Sequence, residues 1–275
     1  MNLYDAALLG LVEGLTEFLP ISSTGHLVLA GRFLRLEDTT FAKAFDVIIQ
    51  SGAILAVIWH YRVPLVGRLA SFFRGERAGR SLALALLVAF LPAALAGLVW
   101  ASAIKTHLFG VTPVAWALLL GGIFMIASEQ FLPRAARTLS NPEHDGLARV
   151  TLSQAFRIGL FQVFALWPGA SRSMTTILGG RFAGLDARAS AEFSFLLAIP
   201  TLLAATAYDL FKIRHESGLS ESVPALLIGS VVSFVVALLV IRGFLRFLQT
   251  HSLTIFGWYR VVLGLLLLVL YRDAG

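Results

Sequence analysis

Eight long apolar runs divide the chain, and they constrain its fold more than any other feature. Each run is near or above the ~20 residues that an α-helix needs to cross the hydrocarbon core of a bilayer. Of the 275 residues, 57% are hydrophobic and only 14% are charged, which is more apolar surface than a soluble domain of this size can bury. The sequence therefore predicts a membrane protein. The runs cover residues 3–29, 41–61, 82–103, 111–132, 150–178, 190–211, 223–243 and 253–271.

Two of these runs are interrupted by proline and polar residues, namely 3–29 and 150–178. We expect both to enter the membrane and return to their own side. The first run is expected to be retained, because no Lys or Arg precedes Arg32 and the basic start of a signal peptide is missing. The prediction is an all-α polytopic membrane protein, one domain over 1–275, with six transmembrane helices and two re-entrant helix-loop-helix segments.

The two halves of the chain resemble each other. Each contains one interrupted segment followed by three crossings, and an odd number of crossings turns the second half upside down. This pattern predicts an inverted repeat of approximately 1–135 and 148–275, whose two breaks meet near the midplane of the bilayer. A shift of about 148 residues superposes Pro20 on Pro168, Ser23 on Ser171 and Phe45 on Phe193, and one extra residue brings Gly31 onto Gly180.

The net charge of +6 is spread over short loops and forms no single basic patch with aromatic residues, so nucleic acid is not an expected partner. The 62–81 connection has five arginines and one acidic residue, Glu76, which predicts a cytoplasmic location. The absence of cysteine excludes disulfides and thiolate chemistry. The cytoplasmic loops of this topology hold Arg62, Arg68, Arg74, Arg77, Arg80, Arg134, Arg137, Arg149, Arg181, Arg188, Arg242 and Arg246, and the outer side holds Arg32, Arg35, Lys105, Lys212, Arg214 and Arg272.

The first break carries two carboxylates, Glu13 and Glu17, which share one helix face because they are four residues apart. A carboxylate at the bilayer centre costs about 2.5–3.5 kcal/mol on insertion scales, so this pair indicates a functional site. Pro20 should end the helix, since proline lacks an N–H and restricts the residue before it.

A second helix should start after Pro20, where Ser22 and Thr24 are expected to act mainly as backbone caps. Ser23 and His26 are three residues apart on that helix. This spacing can bring the imidazole to the hydroxyl, as in a nucleophile and its base.

The second break, at Pro168 and Gly169, supplies a cation. Arg172 follows it, and free N–H groups at a helix start together with a forked guanidinium favour phosphate binding. Ser171, Ser173 and Thr176 are candidate phosphate-binding donors, although Ser173 and Thr176 could equally be helix caps.

Together the breaks predict phosphoryl chemistry. Arg172 would hold the phosphoryl group, Ser23 or His26 would attack, and a glutamate would act as base or orient the imidazole. Glu13 and Glu17 would repel a diphosphate unless a divalent cation bridges them or one is protonated. A Mg²⁺ or Ca²⁺ cofactor at these glutamates is therefore predicted, and no organic cofactor is expected.

At these residues the chain also resembles a known family. The segments 13–26 (EGLTEFLPISSTGH) and 168–176 (PGASRSMTT) are similar to the two motifs of the bacterial undecaprenyl-diphosphate phosphatases of the bacitracin-resistance type. The likeness extends through 45–53 and 192–200. It implies a hydrolase that removes the terminal phosphate of undecaprenyl diphosphate, recycling the lipid carrier for peptidoglycan synthesis. The site residues that it implies are Glu13, Glu17, Ser23, His26 and Arg172, with Ser171, Ser173 and Thr176 beside them.

The resemblance also implies a multi-pass protein of the bacterial inner membrane whose site opens to the periplasmic side, among membrane lipids. Bacitracin would compete indirectly by sequestering the substrate. A homodimer, the nucleophile and any covalent intermediate are left open.

Two other functions fit part of the pattern. A lipid-carrier flippase or secondary transporter also uses inverted repeats with broken helices, but it has no evident need for a serine and a histidine beside two glutamates. An intramembrane serine protease would leave the anion site and both glutamates unused. The remaining polar residues of the runs are interpreted as supporting the site residues or as forming interhelical hydrogen bonds more often than as catalysts: Asp46, Gln50, Glu129, Gln154, Gln162 and Glu192.

Overall fold

Helices form all the regular secondary structure of the computed structural model, which describes residues 1–36, 40–132, 150–213 and 223–271. The helices in these ranges are α1 (Leu3–Thr16), α2 (Ser23–Phe33), α3 (Thr40–His60), α4 (Arg62–Phe73), α5 (Arg77–His107), α6 (Val111–Phe131), α7 (Leu152–Val163), α8 (Arg172–Phe182), α9 (Ala187–Ile213), α10 (Val223–Phe247) and α11 (Thr254–Leu270). A short 3₁₀ turn, Phe164–Leu166, follows α7.

The predicted fold class is confirmed. Helices α5, α6, α9 and α10 are long and apolar enough to cross a bilayer. Helices α3 and α4 pass the same test only as a pair bent by 78°, and α11 is shorter, at 17 residues. The 62–81 connection, predicted only as a loop, contains α4, because Pro64 lies in the first turn, where a helix tolerates proline.

The predicted orientation depends partly on residues outside the described ranges. These are Arg134, Arg137, Arg149, Arg214 and Arg272, and the side chains of Lys105 and Lys212 are not described either. The cytoplasmic location of 62–81 and the repeat limits 1–135 and 148–275 stay predictions.

Both interrupted runs are helix pairs with the same construction at the break. The ring of a proline clashes with the carbonyl four residues earlier, and α1 accordingly ends at Thr16, four residues before Pro20. Helix α7 gives way to the 3₁₀ turn at Phe164, four residues before Pro168. The backbone requirement of proline therefore sets both helix ends.

The second arm of each pair begins on a serine cap with positive φ. Ser22 has φ 75° and accepts from the Gly25 N–H, and Ser171 has φ 72° and accepts from the Met174 N–H. Ser22 and Ser171 are thus the equivalent residues, and they are 149 positions apart. The sequence superposition of Ser23 on Ser171 is therefore wrong by one residue. The extra residue of the second half lies between Pro168 and the cap Ser171, and not after the cap.

Each helix pair packs against a helix of the other half. Helix α1 lies on α10, and α7 lies on α5. Gly10 is so close to α10 that a Cβ would collide with the Gly229 backbone, and a Cβ at Gly159 would collide with the Ala89 backbone of α5. Small residues allow this backbone approach between membrane helices. Phe18 anchors the first break in the core, with its ring 5.0 Å from that of Phe195.

Candidate active site

The two breaks meet at a cavity of about 180 Å³. Helices α2 and α8 both begin at its wall, so their unpaired N–H groups and the positive ends of two helix dipoles converge there. Such an arrangement is suited to an anion. The polar side chains of the lining belong to Glu17, Ser22, Ser23, Thr24, Gln50, Gln162, Ser171, Arg172 and Thr201, and Trp167 and Gly169 are also part of it.

Glu17 connects the two breaks through its carboxylate. The Ser23 hydroxyl donates to Glu17 Oε2 at 2.5 Å, and Arg172 Nη2 donates to Glu17 Oε1 at 3.1 Å. Arg172 Nη1 donates to the Ser194 carbonyl at 2.9 Å, which fixes the guanidinium plane. The Glu17 and Arg172 side chains are 6% and 9% exposed. A hydroxyl, a carboxylate and a guanidinium are thus held in one hydrogen-bonded chain.

Glu13 lies one helical turn before Glu17, is 0% exposed and does not line the cavity. Neither of its carboxylate oxygens has a hydrogen-bond partner among the described residues. A buried carboxylate without partners is costly, and a cation would compensate it. No cluster of three or more His, Cys, Asp or Glu occurs in the described part of the chain. Glu13 and Glu17 are one helical turn apart, and Mg²⁺ can be held by one or two carboxylates together with substrate phosphate oxygens, so a divalent cation at these glutamates stays a prediction.

Both ring nitrogens of His26 have hydrogen-bond partners other than the Ser23 hydroxyl, so the predicted pairing of these two residues is wrong. The imidazole Nδ1 is 2.7 Å from the Ser22 carbonyl, and Nε2 is 2.6 Å from the Tyr259 hydroxyl. A carbonyl can only accept, so Nδ1 carries the proton and a neutral ring accepts from Tyr259 through Nε2. The first turn of α2 directs Ser23 toward α1, whereas His26 faces α11.

Three predicted phosphate donors form hydrogen bonds with the protein itself. Ser171 caps α8 and lines the cavity. Ser173 donates to the Leu19 carbonyl at 2.8 Å and so links the two breaks. Thr176 donates to the Arg172 carbonyl at 2.7 Å and lies 2.6 Å from the Ser194 hydroxyl. Phosphate binding by these residues stays a prediction.

Arg260 of α11 was not predicted, although it is 0% exposed and lies beside both breaks. Its guanidinium donates to the carbonyls of Gly169 (3.0 Å), Ala117 (3.0 Å) and Pro20 (3.4 Å). The signal was present in the sequence, since an arginine inside the run 253–271 is as costly in a membrane as the glutamates of the first run.

The other polar residues mostly have the predicted supporting role. Glu129 pairs with Arg181 at 2.5 Å, and Glu192 pairs with Arg188 at 2.9 Å. Gln154 completes a capping box at the start of α7. Gln50 and Gln162 differ, because both line the cavity.

Comparison with known proteins identifies the family. The family model described as bacitracin resistance protein BacA matches residues 6–266. The chain belongs to this family. An undecaprenyl-diphosphatase of Sorangium cellulosum is 51% identical over 96% of this chain and 85% of its own length. Those of Methylococcus capsulatus and Acinetobacter baumannii are 47% and 43% identical over 96% of this chain, and over 93% and 94% of their own lengths.

The BacA match contains both breaks and every residue that lines the cavity. It also contains Arg260, so the arginine that joins the breaks lies in the part of the chain by which the BacA family is recognised. The resemblance of the two motifs to this family is confirmed.

Proposed function

We propose that this protein is an undecaprenyl-diphosphatase, which hydrolyses undecaprenyl diphosphate to undecaprenyl phosphate and inorganic phosphate. The relatives carry this name, and the geometry that supports it is the hydrogen-bonded chain Ser23–Glu17–Arg172 at two converging helix starts. The product would return to cell-wall synthesis, and the recycling would confer bacitracin resistance.

In the proposed reaction, the Ser23 hydroxyl attacks the terminal phosphorus and Glu17 takes its proton. The P–O bond to the bridging oxygen breaks, undecaprenyl phosphate leaves, and the phosphoryl group stays on Ser23. Water then attacks this phosphorus, Ser23 regains a proton, and inorganic phosphate is released as Glu17 ionises again. Arg172 and the N–H groups of α2 and α8 would hold the equatorial oxygens.

Ser23 is the better candidate for the nucleophile because it lines the cavity and already donates to a carboxylate. His26 has both ring nitrogens engaged by Ser22 and Tyr259. We assign His26 to orienting the first turn of α2.

The test is phosphate release by purified protein from undecaprenyl diphosphate, with wild type, Ser23→Ala and Ser128→Ala. Ser128 is a matched control, since it is a buried serine that donates to the Met125 carbonyl away from the cavity. We expect loss of activity in Ser23→Ala alone, and a phosphoserine in wild type quenched during turnover with terminally labelled substrate. Wild-type activity in Ser23→Ala would exclude this mechanism.

A divalent cation at Glu13 and Glu17 is part of the proposal. Glu17 lines the cavity and Glu13 lies one helical turn behind it, so these are the carboxylates that would hold Mg²⁺ or Ca²⁺, and the ion would offset the charge between substrate and glutamates. Activity should fall with a chelator and return with the added ion, and Glu13→Gln should weaken ion binding measured directly by calorimetry in the presence of a diphosphate analogue. Full activity after chelation would exclude the cation.

We also propose that the cavity opens to the periplasmic face of the bacterial inner membrane, where bacitracin would sequester the same substrate. The absence of native cysteine permits a direct test. A membrane-impermeant maleimide added to intact cells should label Thr24→Cys in the cavity wall and not Gly75→Cys in the 62–81 connection. The opposite labelling would invert the topology. Whether the protein is a homodimer would be tested by measuring the mass of the purified particle and subtracting the mass of the bound detergent.

A further inference from the structure

A second cavity lies beside the active-site cavity, on the other side of the wall that α5, α7 and the 3₁₀ turn form. It is an open groove of about 580 Å³ between α5, α7 and the 3₁₀ turn. None of its lining side chains is charged, and the Trp100 indole N–H at one end is the only side-chain hydrogen-bonding group among them. The lining consists of Pro92, Leu95, Ala96, Val99, Trp100, Leu160, Val163 and Phe164.

Neighbouring residues of the same two elements line the groove and the cavity. On α5, Pro92 faces the groove and Ala93 faces the cavity. On the opposite wall, Val163 faces the groove and Gln162 the cavity. The two spaces are therefore separated by a single layer of residues.

That separating layer contains several small residues where α5 meets the 3₁₀ turn. Ala93 and Ala165 line the cavity side, Ala96 lines the groove side, and Gly97 follows on α5. Leu166 covers Gly97, where a Cβ would lie 3.5 Å from its Cδ2. A displacement of the Leu166 side chain would open this layer to a prenyl chain without moving a helix.

We propose that the groove binds the isoprene units next to the diphosphate of the substrate. The inference rests on the proposed function, in which a charged head group in the cavity is joined directly to an apolar tail. Bilayer lipid is as apolar as the groove, so the groove contributes packing and orientation and not a hydrophobic driving force. Its role is to fix the direction of the P–O bond that breaks.

Ala96→Phe tests this role by filling the groove, and Leu239→Phe on the exposed face of α10 is the matched control. Both are compared with wild type for kcat/KM on methyl, farnesyl and undecaprenyl diphosphates, and methyl diphosphate has no isoprene unit to enter the groove. We expect wild type to prefer the two longer substrates. Ala96→Phe should lose this preference by roughly tenfold or more, because the scissile bond of the two prenyl substrates is misplaced.

Three results would overturn the groove assignment: no effect of Ala96→Phe, an equal loss on all three substrates, or the same loss in Leu239→Phe. Absence of phosphate release by wild type from undecaprenyl diphosphate would instead contradict the proposed function, so the two failures are distinguishable.

A separate observation concerns Arg260. All three of its hydrogen-bond acceptors are backbone carbonyls, and two of them, Pro20 and Gly169, belong to the two breaks. Gly121 leaves the space that the guanidinium occupies, since a Cβ there would collide with Nη2. We infer that Arg260 is a positioning residue that sets the distance between the starts of α2 and α8, and therefore between Ser23 and Arg172.

Arg260→Lys keeps the charge but cannot bond three carbonyls in one plane. We expect its kcat to fall roughly a hundredfold with a small change in KM, because the misplacement affects the transition state more than binding. Arg181→Lys, at a buried ion pair with Glu129, controls for the loss of a buried guanidinium. A kcat within twofold of wild type, or equal losses of kcat and Tm in the two variants, would overturn the assignment.

Discussion

Glu17 uses both carboxylate oxygens, one for the hydroxyl of Ser23 and one for the guanidinium of Arg172. A glutamate was expected to act as base or to orient the imidazole, and its cost inside an apolar run indicated a functional site. The two hydrogen-bond partners of Glu17 were not predicted, because they depend on how the breaks approach each other. The sequence identifies which residues are costly in a membrane, whereas the structure defines which of them meet.

Glu17→Gln keeps the size of the side chain and an acceptor for Arg172, but an amide cannot take the Ser23 proton. We expect kcat to fall by about 10²–10⁴, the usual contribution of a general base, with little loss of fold. Steady-state phosphate release measures it, with Glu192→Gln as a control at another arginine-paired carboxylate. A rate above a tenth of the wild-type value would contradict the role of base.

His26 and Tyr259 form one hydrogen-bonded pair, so their variants should not be additive. His26→Ala should lower activity less than Ser23→Ala. Adding Tyr259→Phe to His26→Ala should have little further effect, with a coupling of about 0.5–3 kcal/mol from the double-mutant cycle. Additive losses would mean that His26 acts independently of Tyr259, for instance directly on the substrate.

At the scale of the element, both breaks could be located from the sequence because proline and serine act on the local backbone. Pro20 and Pro168 indicated the helix ends, and the Ser/Thr clusters indicated the restarts. The register of the two caps could not be derived, since it depends on the positive φ of Ser22 and Ser171. Such a conformation costs on the order of 1–3 kcal/mol and persists only where the surroundings enforce it.

These two caps give a prediction about stability. Ser171→Ala removes the acceptor and keeps a Cβ at positive φ, so we expect a loss of about 0.5–2 kcal/mol, whereas Ser171→Gly should cost only about a few tenths. The same order should hold at Ser22. Thermal unfolding in one detergent measures the four variants, and equal Tm values for the Ala and Gly variants would show that the strain is absent.

At the scale of the whole molecule, the apolar runs correctly predicted a helical membrane protein with two interrupted segments. They did not predict α4, because hydropathy does not register a helix that continues beyond a bend into an arginine-rich connection. The cross-packing of each broken segment on the other half was also not evident, since it depends on single glycines such as Gly10 and Gly159.

Gly10→Leu should separate α1 from α10 and strongly reduce the yield of folded protein, because the added atoms would meet the Gly229 backbone. Gly31→Leu is the matched control, since a Cβ at Gly31 meets nothing within 4 Å. The measurement is the monodisperse fraction after detergent extraction. Equal yields of the two variants would contradict the close approach of α1 and α10.

The packing of α1 on α10 also means that α1 must wait for its packing partner while the chain is being synthesised. The ribosome completes α1 about 200 residues before it completes the start of α10, which at ~5–20 residues per second is a delay of roughly 10–40 s. During this interval Glu13 and Glu17 have no helix of the second half to shield them from lipid. The nascent amino-terminal hairpin must therefore stay at the insertion machinery, or in a hydrated environment, until most of the protein has been translated.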